Sequence, residues 1–323
     1  MADERVAQAS QWLNTVWNHA FEIKPLAGDA SFRRYFRVYQ SEKTYVLMDA
    51  PPEKEDVTPF LNVCAWLQSI GMRVPKILAK DLEQGFLLLE DFANQTWSTY
   101  LASGGEMQPL FANALRQLHI LQSAKVDLAL PAFDIARMQR ECDLYLDWYL
   151  PKVMQYIPTA DERKQFHADI LPYLKHLSEL PQVAVHLDYH SRNLMLPPDG
   201  LPLGVIDFQD AVIGPITYDL ASLLYDCYQD YPEHLRRQYS DMFFYALPKR
   251  WQLYFEDSSA WHDSLRITAF QRHLKAMGIF ARLAYRDGKK QFLEEIPLTK
   301  KHLNDEITYL DIPASLKHFL QCE

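Results

Sequence analysis

Three polar residues in the middle of the chain lie at the ends of two short apolar runs. Asp188 and Asn193 are five residues apart in the loop after the run 183–185, and Asp207 follows the run 203–206. Transfer of a phosphoryl group from ATP requires a carboxylate that holds and deprotonates the attacking hydroxyl, together with oxygen ligands for magnesium. The sequence therefore predicts Asp188 as a catalytic base, and Asn193 and Asp207 as ligands of Mg²⁺.

The spacing His-x-Asp-x-x-x-x-Asn at 186–193 is only suggestive by itself, because polar residues at such positions also cap ordinary turns between strands. Two further motifs strengthen the prediction. A hydrophobic-Asp-Phe sequence follows within 205–208, and the run Leu-Leu-Glu-Asp-Phe precedes the loop at 88–92. This context favours a catalytic loop over a structural turn.

Composition and charge limit the classes of protein to which the chain can belong. Its 323 residues are 48% hydrophobic and 23% charged, which is typical of a folded protein with one large domain or two lobes. The formal net charge of −9 offers no general attraction for nucleic acid or for a membrane surface. No stretch reads as a signal peptide or membrane span, and the four cysteines form no C-x-x-C pair. We expect a cytoplasmic protein with reduced thiols, and the sequence gives no indication of its oligomeric state.

Apolar periodicity predicts a sheet-rich first part of the chain. An amphipathic helix is expected over 3–20, and strands at 35–38, 44–48 and 86–89. One helix interrupts the strands, with Thr58 as its expected cap and Gly71 at its end.

The pattern becomes helical after Glu90, with helices expected around 110–121, 134–150, 162–180 and 265–286. The predicted fold class is therefore α+β. A small antiparallel-sheet lobe would occupy residues 1–92, and a mainly helical lobe residues 93–323, with the boundary near 91–96.

These motifs resemble those of the aminoglycoside phosphotransferase family, which has a protein-kinase-like bilobal fold, and the resemblance covers nearly the whole chain. It implies that ATP binds between the lobes and that Glu90 and Phe92 form a hinge whose backbone meets the adenine. It further implies that His186 braces the catalytic loop and that Asp219 hydrogen-bonds this loop from a following helix. Asp210 would assist the metal or hold a substrate hydroxyl, or is an ordinary carboxylate in a surface turn.

The first lobe departs from the family pattern. The loop that should cover the phosphates falls at 27–32, where Ser31 and Phe32 are the expected contacts, but it contains one glycine. The strand lysine and the helix glutamate that form the usual ion pair are both absent. Either the chain binds a nucleotide without catalysis, or another cation neutralises the phosphates. Activity is favoured because the base, amide and metal carboxylate are all kept.

Three arginines follow the covering loop directly and are the candidate cations: Arg33, Arg34 and Arg37. They either replace the lost phosphate contacts or are strand arginines that face water. We predict that Arg33 contacts ATP.

Several stretches resemble a narrower group, the bacterial kinases that phosphorylate the anomeric hydroxyl of N-acetylated amino sugars such as N-acetylmuramate and N-acetylglucosamine during peptidoglycan recycling. The stretches are 28–37, 48–52, 207–211 and 278–283. The resemblance implies ATP and a sugar as the binding partners, and Mg²⁺ as the cofactor. Two alternatives stay open: a phosphotransferase for another small substrate such as an aminoglycoside or choline, and a nucleotide-binding pseudokinase.

The stretch 264–290 is basic in an otherwise acidic chain. On a helix, four of its cations would share one face: Arg272, Lys275, Arg282 and Arg286. This face either receives the carboxylate of a sugar acid, or is solvated or paired with neighbouring acids.

Overall fold

Residues 3–26, 32–310 and 312–320 are described in the structure, which is a computed structural model. They form a bilobal α+β fold, as the sequence predicts. The first lobe contains one antiparallel sheet of five strands with the spatial order β1–β2–β3–β5–β4. The strands are β1 (Glu22–Pro25), β2 (Arg34–Gln40), β3 (Lys43–Asp49), β4 (Ile77–Asp81) and β5 (Phe86–Glu90).

Both faces of this sheet are covered. Helix α1 (Glu4–Val16) packs on one face, where it meets Val38 of β2, and helix α2 (Thr58–Ser69) packs on the other. Successive side chains of a strand point to opposite faces, so Tyr35 and Arg37 lie on the side away from α1. That side also lines the cleft between the lobes.

The leading helix, the inserted helix and the three predicted strands are confirmed, with two corrections. β1 and β4 were missed because both are short and rich in polar residues. Thr58 is the first residue of α2 and not its cap; Val57 is the cap, and Asp56 accepts the backbone N–H of Thr58 at 2.8 Å.

The second lobe is mainly helical, and all four predicted helical regions are helices. Within the described ranges, none of the helices combines the length and apolar character needed to cross a bilayer. A π-helical turn (Tyr145–Tyr149) follows the helix that ends at Leu144. A 3₁₀ segment (Lys290–Glu295) precedes the helix that begins at Ile296. The helices are α3 (Trp97–Ala102), α4 (Met107–Ser123), α5 (Ile135–Leu144), α6 (Leu150–Lys152), α7 (Ala160–Glu179), α8 (Tyr218–Leu224), α9 (Glu233–Ala246), α10 (Lys249–Gln252), α11 (Ser258–Tyr285), α12 (Ile296–Tyr309) and α13 (Ala314–Leu320).

Two small antiparallel ribbons carry the predicted catalytic residues. β6 (Gln182–Val185) pairs with β9 (Val212–Pro215), and β7 (Leu194–Met195) pairs with β8 (Gly204–Val205). The two predicted apolar strands therefore do not pair with each other. Each pairs with a short strand that the sequence did not reveal, and each leads into one of the polar segments.

Helix α11 crosses the end of α5 at very close range. A Cβ atom on Gly278 would lie 2.3 Å from the carbonyl carbon of Leu144, so a larger residue at this position would displace backbone. The π-helical turn begins at the next residue of the chain, Tyr145. This crossing fixes α11 against the rest of the second lobe.

A buried ion pair joins α11 to α12. Nδ1 of His273 lies 2.7 Å from a carboxylate oxygen of Glu306, and Arg266 lies 3.6 Å from the other oxygen. Both members of the pair are buried. Burial alone would lower the pKa of His273, but the Glu306 carboxylate raises it to about 10. His273 is therefore an imidazolium at neutral pH.

We expect Glu306→Gln to lower the free energy of unfolding at pH 7 by about 3 kcal/mol, because His273 and Arg266 lose a buried counter-charge. Folded His273 keeps its proton up to a pH of about 10, whereas the unfolded residue loses it near 6.5. The contribution is complete below pH 6.5 and is lost as the pH rises toward 10. Urea unfolding of both proteins from pH 6.5 to 10 should show the difference between them narrowing; a constant or growing difference would contradict the assignment.

Candidate active site

A cleft of about 460 Å³ lies between the sheet and the β7–β8 ribbon. Glu90 and Phe92 line it from the segment that joins the lobes, and Asn193 and Asp207 line it from the second lobe. Apolar side chains cover much of the remaining wall: Leu26, Val46, Phe60, Leu89, Met195, Ile206 and Phe208. A largely apolar cleft with a few polar groups is suited to a purine base that carries phosphates.

The aromatic ring of Phe92 packs directly on the backbone of Gly204 in β8. A Cβ atom at position 204 would lie 2.3 Å from two ring atoms, so only glycine leaves room for the ring. The guanidinium of Arg73 lies 5.3 Å from the centre of the ring. Phe92 is thus buried, and it forms part of the lining of the cleft.

Arg37 joins the sheet to the segment between the lobes. Its guanidinium donates to both carboxylate oxygens of Asp91, at 2.6 and 3.0 Å, and also to the carbonyl of Ala93 and the side-chain oxygen of Asn94. Asp91 in turn accepts the backbone N–H of Ala93. Arg37 therefore organises the hinge, and its charge is already matched by a buried carboxylate.

The other two arginines have different surroundings. Arg34 lies on the α1 side of the sheet, where it pairs with Asp3 and Asp49, and Asp49 also pairs with Arg5. Arg33 is buried, and its Nε lies 3.2 Å from Glu55 in the loop before α2. None of the three predicted cations is a strand arginine that simply faces water.

Arg33 and Asp210 line the same small cavity, of about 80 Å³, next to the main cleft. Gln209 lines both cavities and donates to Asp207 at 2.8 Å. Asp210 itself is exposed. Phe32, the predicted contact in the covering loop, is 64% exposed, and Ser31 lies outside the described residues.

Asn193 and Asp207 meet because the pairing of β7 with β8 aligns their strands. The backbone N–H of Ile206 donates to the carbonyl of Asn193 at 3.1 Å, and Nδ2 of Asn193 lies 3.4 Å from Oδ2 of Asp207. Asp207 has a φ of 64°, a strained value that residues other than glycine seldom adopt. Amide and carboxylate oxygens are ligands that Mg²⁺ prefers. Both side chains line the cleft, so these two residues fit the ion.

The start of the predicted catalytic loop is fixed by the buried carboxylate of Asp219. Asp219, at the first turn of α8, accepts the backbone N–H groups of His186 and Leu187 at 2.7 and 3.0 Å. Leu187 itself has a φ of 76°. Burial raises the pKa of Asp219 to about 6, against the lowering effect of His186 and of the two backbone bonds.

His186 connects the two polar segments through its ring. Its Nδ1 accepts the backbone N–H of Asp188 at 3.3 Å, so its Nε2 carries the proton and donates to the carbonyl of Ile206 at 3.0 Å. Burial lowers the pKa of His186, which keeps the ring neutral. The residue therefore bridges the catalytic loop and the strand before Asp207, and it needs both nitrogens for that purpose.

The second half of the loop has its own anchor. Asp226 is completely buried and accepts the backbone N–H groups of Ser191 and Tyr228, both at 2.9 Å. Its carboxylate is therefore engaged by backbone and is not an acidic group that a cationic ligand could reach.

Asp188 lies in a cluster of charges contributed by two helices. Nζ of Lys275 from α11 is 3.7 Å from Asp188 Oδ1, and it is also 3.7 Å from a carboxylate oxygen of Glu141 in α5. One turn before Lys275, Arg272 donates to the carbonyl of Leu187 at 2.8 Å. Burial would raise the pKa of Asp188, but the positive groups around it, first of all Lys275, hold it well below its ordinary value.

Sequence reasoning missed the roles of Arg37, Asp226, Lys275 and Glu141. Arg37 and Lys275 had been noted as cations, but Asp91 lies 54 residues from Arg37, and Asp188 and Glu141 lie 87 and 134 residues from Lys275. The helical spacing of the basic residues in 264–290 was the one available signal. The structure divides that face: Arg272 and Lys275 lie at the catalytic loop, and Arg286 pairs with Asp287 at the exposed end.

Comparison with known proteins places this geometry in a family. The model of the phosphotransferase enzyme family, APH, matches residues 22–254. The chain belongs to this family. Its curated relatives include two proteins named N-acetylmuramate/N-acetylglucosamine kinase. The one from Pseudomonas aeruginosa is 37% identical, with 94% of this chain and 93% of the relative covered. The one from Neisseria meningitidis is 38% identical, with 91% and 88% covered. The resemblance seen in the sequence is confirmed.

Solved structures of low sequence identity share the fold. The choline kinase LicA from Streptococcus pneumoniae superposes with a TM-score of 0.67 at 13% identity, over 94% of this chain and all of that one. The ADP-bound aminoglycoside phosphotransferase APH(2'')-Ib gives a TM-score of 0.60 at 14% identity, over 93% and 98%. These matches confirm the protein-kinase-like architecture.

The role of Asp219 can be tested by two substitutions. Asp219→Asn keeps one acceptor oxygen for the two buried N–H groups and should lower the free energy of unfolding by about 1–3 kcal/mol, while Asp219→Ala removes both acceptors and should cost roughly twice as much. Urea unfolding measures both values, and turnover should fall in the same order because the loop that carries Asp188 relaxes. Equal stabilities of the two variants would contradict this account.

Proposed function

We propose that the protein is an ATP-dependent kinase that phosphorylates the anomeric hydroxyl of an N-acetylated amino sugar, N-acetylmuramate or N-acetylglucosamine. The observation that carries the proposal is the pairing of Asn193 with Asp207 in a nucleotide-sized cleft, next to the loop of Asp188, whose carbonyl accepts a hydrogen bond from Asn193, in a chain of this family. The names of curated relatives more than 30% identical supply the acceptor class. Such an activity serves the recycling of peptidoglycan sugars.

The Asp188 side chain is 39% exposed, so an acceptor can reach its carboxylate. An acceptor hydroxyl that donates a hydrogen bond to this carboxylate would be aligned with the terminal phosphate of ATP. Its proton would pass to the carboxylate as the new O–P bond forms and the bond from the terminal phosphorus to the ADP oxygen breaks. An anomeric hydroxyl is more acidic than an ordinary alcohol. A carboxylate held ionised by neighbouring cations is therefore a sufficient base for this acceptor, and alignment becomes its main contribution.

The phosphates of ATP would extend from the cleft toward Asn193 and Asp207. These two residues would hold Mg²⁺, which when bound supplies charge neutralisation on the transferred group. The adenine would lie between the apolar wall of the sheet and Phe92, next to the hinge that begins at Glu90.

Arg33 is the best placed of the candidate phosphate cations. Arg34 lies on the opposite face of the sheet, and Arg37 is bound by Asp91. Arg33 lines a cavity shared with Gln209 and Asp210, and its pairing with Glu55 reproduces a cation–carboxylate pair beside the phosphates without the strand lysine. Met48 of β3 lines the same cavity and is apolar, so the strand itself supplies no charge there.

The alternative acceptors find less support. A cationic substrate such as choline or an aminoglycoside would be favoured by unpaired acids around Asp188. Instead Lys275 and Arg272 lie beside that carboxylate, and Asp226 is buried against backbone. A non-catalytic pseudokinase would not need a base and two metal ligands in a catalytic arrangement.

The proposal is tested by supplying ATP and Mg²⁺ to the purified protein with N-acetylmuramate, N-acetylglucosamine, choline or an aminoglycoside. We expect phosphorylation of the two N-acetylated sugars at the anomeric position, identified by ³¹P NMR. Asp188→Asn should lower kcat by about 100-fold or more, since removal of a general base typically costs 10²–10⁴. Turnover only with choline or an aminoglycoside, or unchanged turnover by the variant, would refute the proposal.

The role of Arg33 is tested by Arg33→Met, which should lower kcat/KM for ATP by about 100-fold, because one cation at the phosphates is lost. Arg34→Met is the matched control: it removes a neighbouring arginine from the α1 side and should change kcat/KM for ATP by less than about three-fold, although it lowers thermal stability. If the two variants show equal kcat/KM values, Arg33 is not the phosphate cation.

A further inference from the structure

Lys275 is a buried cation for which the reaction described above has only one use, to keep Asp188 ionised. Its side chain is only 11% exposed, yet its ammonium lies 3.7 Å from the carboxylate predicted to receive the acceptor proton. The second carboxylate at 3.7 Å, Glu141, is 14% exposed. Burying an ammonium and a carboxylate beside a second, partly exposed carboxylate is costly unless the charges compensate one another, so the group needs an explanation.

The three charged groups come from three separate elements. Asp188 is in the loop after β6, Lys275 in the middle of α11, and Glu141 in α5. Glu141 is held in turn by Gln271 at 3.3 Å and by Arg137 at 3.8 Å. The ammonium therefore lies between the partly exposed carboxylate of Asp188 and a carboxylate that is held within the helical lobe.

The backbone around Lys275 gives it little freedom to move away. Three residues earlier, Arg272 is bonded to the carbonyl of Leu187, and three residues later Gly278 is in close contact with the backbone of Leu144. Both contacts lie on the same stretch of α11, one on each side of Lys275. The helix thus presents the ammonium to the catalytic loop in a defined position.

We propose that Lys275 is a positioning residue for Asp188: its ammonium, shared with Glu141, holds one carboxylate oxygen of Asp188 so that the other faces the acceptor hydroxyl. The inference rests on the proposed role of Asp188 as the base. It deepens that role, because it explains how a carboxylate at the end of a mobile side chain is kept both charged and oriented without a direct hydrogen bond from its own loop.

The charges argue against a different use of Lys275, the capture of the carboxylate of a sugar acid. Within the described part of the chain, the Lys275 ammonium already lies 3.7 Å from each of two carboxylates, those of Asp188 and Glu141. The positive charge of Arg272, one turn away, offsets one of these two negative charges. A third carboxylate would compete with Asp188 and Glu141 for the same ammonium and would be repelled by Asp188 directly. Replacement of Lys275 should therefore lower kcat to the same extent for N-acetylmuramate, which carries a carboxylate, and for N-acetylglucosamine, which does not.

The test compares Lys275→Met and Lys275→Arg with the wild-type enzyme, using N-acetylmuramate and N-acetylglucosamine. Lys275→Met keeps the length of the side chain but removes its charge, and Glu141 then repels Asp188. We expect kcat to fall by about 100-fold with both sugars, while KM for ATP changes by less than about two-fold. Lys275→Arg restores the charge and should recover at least about a tenth of the wild-type kcat. Arg286→Met, at the exposed end of the same helix, is the control and should be unchanged.

Several results would contradict the role proposed for Lys275. A kcat of Lys275→Met within about three-fold of the wild type, or a folded Lys275→Arg no better than Lys275→Met, overturns the inference. So does a loss confined to N-acetylmuramate, which would make Lys275 a reader of the sugar carboxylate. Thermal unfolding of every variant separates loss of fold from loss of positioning. If Asp188→Asn is inactive while Lys275→Met is active, only this inference fails; if Asp188→Asn is fully active, the proposed function fails first.

Discussion

The whole catalytic region depends on one buried carboxylate, that of Asp219. It accepts both backbone N–H groups at the point where the chain leaves β6, and it thereby stabilises the left-handed conformation of Leu187. This turn places Asp188 beside Lys275 of α11 and brings His186 to the strand before Asp207. Without a buried acceptor for the two N–H groups, the chain would have to expose them to water, and the loop could not lie between two packed ribbons.

Charge inside the helical lobe is organised around α11. Four of its cations are not solvated: Arg266 and His273 are paired with acids of neighbouring helices, Arg272 is bonded to backbone, and Lys275 lies between two carboxylates. A helix that is packed on almost every side can carry these four charges because each has a partner from another element. The acidic excess of the chain as a whole gives no hint of this local balance.

The sequence predicted what local patterns determine. The strands, the long helices and the polar loop at 186–193 follow from periodicity and spacing, and the bilobal fold follows from their order together with the family resemblance. Pairing partners could not be predicted, since the strands that pair with β6 and β8 have four and two residues and little pattern of their own. The site was predicted as far as its motif extends. Residues that support it from a distance, such as Glu141 and Asp226, carry no local signal because only the tertiary fold brings them to the loop.

The bonds made by Arg37 also determine where the two lobes can move relative to each other. Residues up to Asn94 are tied to the sheet by the Arg37 guanidinium, whereas Gln95 accepts the backbone N–H of Leu196 at 2.7 Å and so belongs to the β7–β8 ribbon. A second link joins the carbonyl of Arg73 to the N–H of Val205 at 2.8 Å. A motion that opens the cleft must therefore either keep these bonds or break them, and every bond that it keeps limits how far the two lobes can separate.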